Sequence, residues 1–189
     1  GHILRMKAAL KAVGASADRF EVLIAQQVNL LHEGEKFKMS KREGRFITMD
    51  ELVDEVGKDA ARFFFNMRSA NAHLDFDLEV AKKQTDENPV YYVQYAHARL
   101  CSLLRKAADK GVVPDWEGVF LSKLTEPEEI LLLKEILLFP EWVASSAHAL
   151  EPHRIVTYLQ TLAGDFHVFY DRHRLLDAPD GLDRARAAL

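Results

Sequence analysis

Two long stretches of the chain carry apolar residues at the spacing that one face of an α-helix requires. The first begins at Pro89, because proline is tolerated in the first turn of a helix, and the second follows Pro152. The two stripes are Val90, Val93, His97, Leu100 and Leu104, and Ile155, Leu159, Leu162, Phe166 and Phe169. We interpret His97, which lies within a stripe, as a core histidine. Apolar helix faces must be buried against one another, so a bundle of antiparallel helices is predicted.

Shorter helices are predicted before and between these two. Four of them are expected over residues 4–13, 48–57, 58–68 and 77–84. Thr48 and Glu51 match a capping box, in which two side chains satisfy free backbone N–H groups of the first turn. A second capping box, Thr125 with Glu128, is predicted to open an apolar helix that ends before Pro140, where another helix starts.

Composition and charge limit the possible functions. The chain has 189 residues, 48% of them hydrophobic, which is enough for a real core in one or two domains. The single cysteine, Cys101, cannot form an internal disulfide, and no apolar run approaches membrane-spanning length. We therefore expect a soluble, cytoplasmic protein. The formal net charge is −4, so any contact with RNA must come from a local basic patch.

A basic segment follows an apolar run near the N-terminus. The run Phe20–Val28 is predicted to be a buried strand, although its pattern alone does not exclude a helix. Beyond it come Lys38, Met39, Ser40, Lys41 and Arg42. Lysine supplies a point charge and arginine a planar fork, and a hydroxyl completes a set of donors suited to phosphate. The alternative is a solvated basic turn without a ligand.

Four segments together resemble one enzyme family. Lys38–Arg42 is similar to the second signature of class I aminoacyl-tRNA synthetases, written KMSKS or KMSKR. The runs Arg5–Leu10, Asp59–Phe64 and Asn88–Arg99 resemble bacterial arginyl-tRNA synthetases, in that order. The resemblance covers nearly the whole chain and thins between about residues 110 and 150. It implies a protein that joins arginine to tRNA-Arg, with ATP as a substrate that carries its own Mg²⁺.

The resemblance also assigns roles to the basic segment. Lys38 and Lys41 stabilise charge on the ATP phosphates, and Lys41 is the main phosphate-facing lysine. Ser40 is a donor, Arg42 adds a bidentate contact or only solvates the loop, and Met39 pins the loop or lies near the adenine. Backbone groups of Gln27 and Val28 border the adenine. No protein-bound metal is expected, because the eight histidines are scattered and the one cysteine has no partner at ligand spacing.

The resemblance divides the chain into three parts and leaves one signature unmatched. Residues 1–47 correspond to the end of a Rossmann-like α/β catalytic domain, 48–87 to a helical connector, and 88–189 to a helical anticodon-binding domain, truncated at its C-terminus. The His-x-Gly-His signature of class I enzymes does not occur. We therefore expect a mainly α C-terminal fragment that is monomeric and inactive alone. The alternatives are another class I synthetase, such as the cysteinyl enzyme, and a non-catalytic helical module that binds RNA or protein.

Candidate tRNA contacts lie on the two long helices. Tyr91, Tyr95 and Arg99 share one helix face at i, i+4 and i+8, which suits the stacking of unpaired bases. The alternative is that the tyrosines are half-buried between helices. Tyr170 and Arg174 are predicted to form a second such face. The family usually has asparagine where this chain has Asp171, and an acid there would repel phosphate. The later half of the first helix carries further cations, Arg105, Lys106 and Lys110, against Asp109.

Overall fold

The computed structural model describes residues 2–37, 46–118, 120–179 and 181–189. Within these residues the chain is mainly helical with one small sheet, as predicted. The elements are α1 (His2–Ala12), β1 (Val28–His32), β2 (Glu35–Lys36), α2 (Met49–Val56), α3 (Lys58–Phe65), β3 (Leu74–Asp77), α4 (Leu78–Lys82), α5 (Pro89–Asp109), α6 (Pro127–Ala149), α7 (His153–Arg172) and α8 (Leu182–Ala188).

The N-terminal segment differs most from the prediction. Helix α1 lies where expected, but residues 20–27 form neither strand nor helix, and Leu23 and Ile24 are exposed. The predicted buried strand Phe20–Val28 is therefore wrong, because β1 begins only at Val28. A strand needs a neighbouring strand that accepts and donates its backbone hydrogen bonds. In the described part of the chain, β1 has such a neighbour on each side. The preceding segment is tied by the Gln26 N–H, which donates to the Ala70 carbonyl at 2.7 Å.

The sheet has three strands in the order β2-β1-β3. A tight turn joins β1 to β2, which are antiparallel, whereas β1 and β3 are parallel with Val28 opposite Leu74. Phe76 of β3 is completely buried and contacts the rings of Phe64 and Phe65. The first core therefore unites the sheet with α2, α3, α4 and the start of α5, through Leu30, Leu52, Ala60, Phe64, Phe76, Leu78, Ala81 and Val90.

The short helices begin where the local chemistry predicts. Thr48 and Glu51 form the capping box of α2, and Asp77 Oδ1 accepts the first N–H groups of α4 at 2.9 and 3.1 Å. Gly57 ends α2 and precedes α3 with φ of 83°, a conformation that favours glycine. Helices α3 and α4 end before the predicted residues 68 and 84.

Helices α5, α6 and α7 build a second core. A three-residue connection turns α6 back onto α7, and α7 also packs on α5. This core consists of Ala96, Leu103, Leu132, Ala163, Phe166, Phe169 and Leu175. The bundle prediction is confirmed, and Phe166 and Phe169 are buried as expected.

The buried face of α5 is rotated from the predicted stripe. The buried residues are Val90, Ala96, Leu103 and Ala107, whereas Leu100 and Leu104 are about 40% exposed. Alanines let neighbouring helices approach closely, so they define the contact although they carry little apolar surface. His97 is exposed, with its ring nitrogens 3.7 and 3.9 Å from Cys101 Sγ, so its prediction as a core histidine is wrong.

Helix α6 begins and continues differently from the prediction. Its capping box is Glu126 with Glu129, one residue after the predicted pair Thr125 and Glu128. Pro140 lies inside α6 and does not end it. Packing of α6 along α7 outweighs the backbone hydrogen bond that proline cannot donate.

Candidate functional site

A cluster of three tyrosines and one arginine lies where α5 packs against α7. The rings of Tyr91 and Tyr95 are parallel within 6°, with centroids 6.1 Å apart. The guanidinium carbon of Arg99 is 5.2 Å from the Tyr95 ring centroid and 4.2 Å from that of Tyr170. Both distances lie within the range of cation–π attraction. These four residues, called the tyrosine–arginine cluster below, combine three predicted residues of α5 with one of α7.

Two further side chains of α7 hold Arg99 in place. Its Nη2 donates to Asp171 Oδ1 at 2.8 Å, and its Nη1 donates to His167 Nδ1 at 3.1 Å. Because His167 Nδ1 accepts, its Nε2 carries the proton and donates to the Tyr92 carbonyl at 3.4 Å. The His167 ring also stacks on Tyr95, with centroids 5.5 Å apart.

A shallow cavity of about 290 Å³ opens beside the cluster. Its lining includes Tyr91, Tyr95 and Arg99, together with the carboxylates of Asp86 and Asp171. Tyr95 is 46% exposed, so its ring is available to a ligand and is not simply packed between helices. The cavity therefore offers flat aromatic surface next to acidic groups.

Sequence reasoning missed His167 and the ion pair that Asp171 makes. His167, Tyr170 and Asp171 recur at i, i+3 and i+4, so a helical pattern places them on one face. That spacing is the signal that could have found them. The face they meet depends on how α7 packs on α5, which no local pattern contains.

Arg174 does not share a helix face with Tyr170. Helix α7 ends at Arg172, so the predicted i, i+4 relation is wrong. The Arg174 backbone carbonyl accepts from Arg186 Nη1 at 3.0 Å. Among the described residues, no hydrogen bond or ion pair joins the Arg174 side chain to the tyrosine–arginine cluster.

The predicted ATP contacts lie far along the chain from the cluster. Lys38, Met39, Ser40, Lys41 and Arg42 lie outside the described residues. Gln27 is exposed just before β1, and Val28 is the first residue of that strand. Both residues therefore lie at the start of β1. Their role at the adenine stays a prediction.

The basic half of α5 is less cationic than its sequence indicates. Lys110 Nζ contacts Asp177 Oδ1 at 2.5 Å, and Arg99 is neutralised by Asp171. Arg105 and Lys106 are exposed, and the described residues give them no ion pair. Two of the four cations therefore remain available to a polyanion.

An ion-pair network fixes the end of the bundle. Glu129, completely buried, accepts from Arg186 Nε at 2.5 Å and from the Glu126 N–H at 3.0 Å. Arg186 belongs to α8 and Glu129 to α6, so the pair ties the two helices together. Glu128 contacts Arg172 and His173. Its own backbone N–H, followed by those two partners, lowers the pKa of its carboxyl.

The described ranges hold neither a metal-binding group of three or more side chains nor a membrane-spanning helix. Residues 2–37, 46–118, 120–179 and 181–189 contain no group of three or more His, Cys, Asp or Glu side chains able to hold a metal ion. None of the helices in these ranges is long and apolar enough to cross a membrane.

Comparison with known proteins decides the family. The model of the DALR anticodon binding domain matches residues 93–189, which include most of α5 and all of α6 to α8. The chain belongs to this family. The match contains Tyr95, Arg99 and Tyr170 and ends after α8.

Relatives and solved structures extend the similarity to the whole chain. An arginine–tRNA ligase of Caldanaerobacter subterraneus is 49% identical over all of this chain and 34% of its own length. The crystal structure of a Campylobacter jejuni protein assigned as an arginyl-tRNA synthetase superposes on the whole chain with a TM-score of 0.81 at 32% identity, over 40% of that protein. The Thermus thermophilus arginyl-tRNA synthetase gives 0.70 at 28%, over 96% of this chain and 34% of its own. The chain thus spans about a third of the length of the curated relatives it matches. The predicted resemblance is confirmed.

Proposed function

We propose that the chain is the C-terminal part of an arginine–tRNA ligase, a cytoplasmic and monomeric enzyme that joins L-arginine to tRNA-Arg with ATP. The observation that carries this proposal is similarity to arginine–tRNA ligases over the whole of this chain, together with the match to the anticodon binding domain. The tyrosine–arginine cluster supports it further, because it combines stacking surface with a fixed cation on that domain.

The proposal divides the work among three segments. Residues 1–47 contribute the ATP-facing loop, and residues 88–189 bind the anticodon arm. Residues 48–87 form a helical connector between these two parts. In the loop, Lys38 and Lys41 stabilise charge that develops on the phosphates as the arginine carboxylate attacks, with Met39, Ser40 and Arg42 as supporting residues. Gln27 and Val28 border the adenine.

In the bundle, the proposed tRNA contacts are Tyr91, Tyr95, Arg99, Tyr170 and Arg174. Stacking of a base on an aromatic ring contributes about 1–3 kcal/mol. The exposed cations Arg105 and Lys106 continue along α5 and suit the sugar–phosphate backbone, which makes the binding salt-dependent.

A titration of tRNA-Arg and an unrelated tRNA against the chain tests this function. We expect weak binding that favours tRNA-Arg, and Tyr95→Ala should weaken it about 5-fold or more, the lower bound set by one lost stacking contact. Tyr95→Phe is the matched control, because it keeps the ring and should keep most of the affinity. Equal binding of the two tRNAs with no effect of Tyr95→Ala would refute the proposal and favour a module that binds other partners.

A further inference from the structure

His97 and Cys101 lie one turn apart on α5, outside the second core. His97 is exposed and Cys101 is partly exposed, whereas Ala96 and Leu103 of the same helix are buried in that core. Cys101 Sγ lies 3.7 Å from His97 Nε2 and 3.9 Å from His97 Nδ1. The described residues give neither side chain any other hydrogen bond or ion pair. Both are therefore available to a ligand from solvent.

The two side chains are of the types that zinc prefers, and their separation fits one ion. Zinc bonds to imidazole nitrogen at about 2.0–2.1 Å and to thiolate sulfur at about 2.3 Å, and a tetrahedral angle between these bonds separates the two ligand atoms by about 3.6 Å. The 3.7 Å between His97 Nε2 and Cys101 Sγ is nearly this value. An ion can bond to both atoms once the imidazole ring turns a nitrogen lone pair towards it, and the helix backbone need not move.

We propose that His97 and Cys101 bind one divalent ion of the Zn²⁺ class, with water in the remaining coordination positions. From the sequence no protein-bound metal is expected, but residues four apart on a helix lie side by side, and helical zinc ligands use the same spacing. The proposal is independent of the proposed function, because neither residue belongs to the tyrosine–arginine cluster.

The ligand chemistry determines which ions bind and how firmly. A Zn–S bond replaces the S–H bond of Cys101, and the proton passes to water, so binding should strengthen as the pH rises. Mg²⁺ and Ca²⁺ take oxygen ligands and should not compete. Structural zinc sites use four protein ligands, so a site with two protein ligands should hold an exchangeable ion.

An ion at this site joins successive turns of α5. Because the unfolded chain does not hold the two ligands together, binding stabilises the folded chain by mass action. His97 and Cys101 each follow Tyr95 and Arg99 by two residues, which turns them about 200° around the helix. Ion binding therefore leaves the tyrosine–arginine cluster accessible.

Titration with Co²⁺ in thiol-free buffer at neutral pH tests the site. A thiolate bonded to Co²⁺ gives a near-ultraviolet charge-transfer band, and Cys101 is the only cysteine, so the band reports this site in spite of the eight histidines. We expect a band that saturates at one ion per chain and that Zn²⁺ abolishes by displacing the cobalt. Absence of the band, or a band that Zn²⁺ leaves unchanged, overturns the proposal.

Single substitutions separate the two ligands. Cys101→Ser should remove the band. His97→Ala should weaken Co²⁺ binding at least about 10-fold, because loss even of a group that only orients a metal ligand costs about that much. His148→Ala removes an exposed histidine of α6 and is the matched control, which should bind as the wild type does.

The His97→Ala chain should fold, because the position is exposed and alanine favours helix. Circular dichroism shows whether each variant keeps its helices. If folded His97→Ala binds Co²⁺ as tightly as the wild type, the cysteine binds alone and the two-ligand site is overturned.

Discussion

Arg99 shows how several contacts within the protein can fix one long side chain. It donates hydrogen bonds to His167 and Asp171 and lies over the rings of Tyr95 and Tyr170. Each contact is modest, but together they fix a side chain that would otherwise sample many rotamers. The cost of ordering Tyr95 and Tyr170 is thus met before a ligand arrives, which favours binding.

How much of the cluster could be predicted follows from where its residues lie. Tyr91, Tyr95 and Arg99 share one helix, so their spacing alone brings them together. Tyr170 was predicted as an RNA contact, but its place against Arg99 depends on the packing of α7 on α5. Arg174 was paired with it wrongly because the end of a helix without a strong stop signal cannot be located to the residue.

At Asp165 we predict a stabilising substitution. Burial raises the pKa of this α7 carboxyl above its ordinary value of 3.8. The folded chain therefore holds a proton more tightly than the unfolded chain, and stability falls as the pH rises from about 3.8 through the raised pKa. Asp165→Asn should raise the melting temperature at pH 7, with a difference that shrinks as the pH is lowered towards 3.8. A variant that melts lower than wild type at pH 7 would contradict this.

Helix ends show which parts of the fold are local. The starts of α2 and α4 were predicted because a capping side chain and the N–H groups from which it accepts lie within three residues. The start of α5 was predicted because Pro89 is tolerated in the first turn of a helix. The prediction that a helix ends before Pro140 was wrong because the effect of proline on a helix depends on how that helix packs against its partner. The strand predicted to begin at residue 20 was wrong because an apolar run is buried as a strand only where a neighbouring strand pairs with it. The buried face of α5 was not predicted because two of its residues are alanines, whose small side chains contribute little to a hydrophobic pattern.

The ion pair between Glu129 and Arg186 is expected to lock α8 onto α6. Arg186→Met should lower the free energy of unfolding by about 3–5 kcal/mol, because it leaves a completely buried carboxylate without its cation. Urea denaturation measures the change. Combining Arg186→Met with Glu129→Gln should recover much of the loss, since the buried charge is gone.

Lys83→Met provides the matched control for that ion pair. It removes an exposed ion pair with Glu87, four residues away, and should change stability little. If Arg186→Met were as mild as this control, the buried pair would not hold α8.

At the scale of the whole molecule, α5 belongs to both cores. Val90 lies in the first and Ala96 in the second, and the helix runs unbroken between them. Exposed Gln94 lies in this span. Gln94→Pro should split thermal unfolding into two transitions, because proline breaks the helix that couples the cores. Gln94→Ala should keep the wild-type profile. Differential scanning calorimetry measures the number of unfolding transitions. A single sharp transition in the proline variant would show that the cores couple through other contacts.

The cap of α5 also sets the direction in which the tyrosines face. Buried Asn88 donates to the carbonyls of Ala81 and Lys83 and accepts from the Val90 N–H, so the first turn is anchored to α4. Each helical residue advances the angular phase by about 100°. Removal of one residue between this anchor and Tyr91 would therefore turn the rings a quarter-circle away from α7. The number of residues between Asn88 and Tyr95 therefore determines whether the rings face α7 at all.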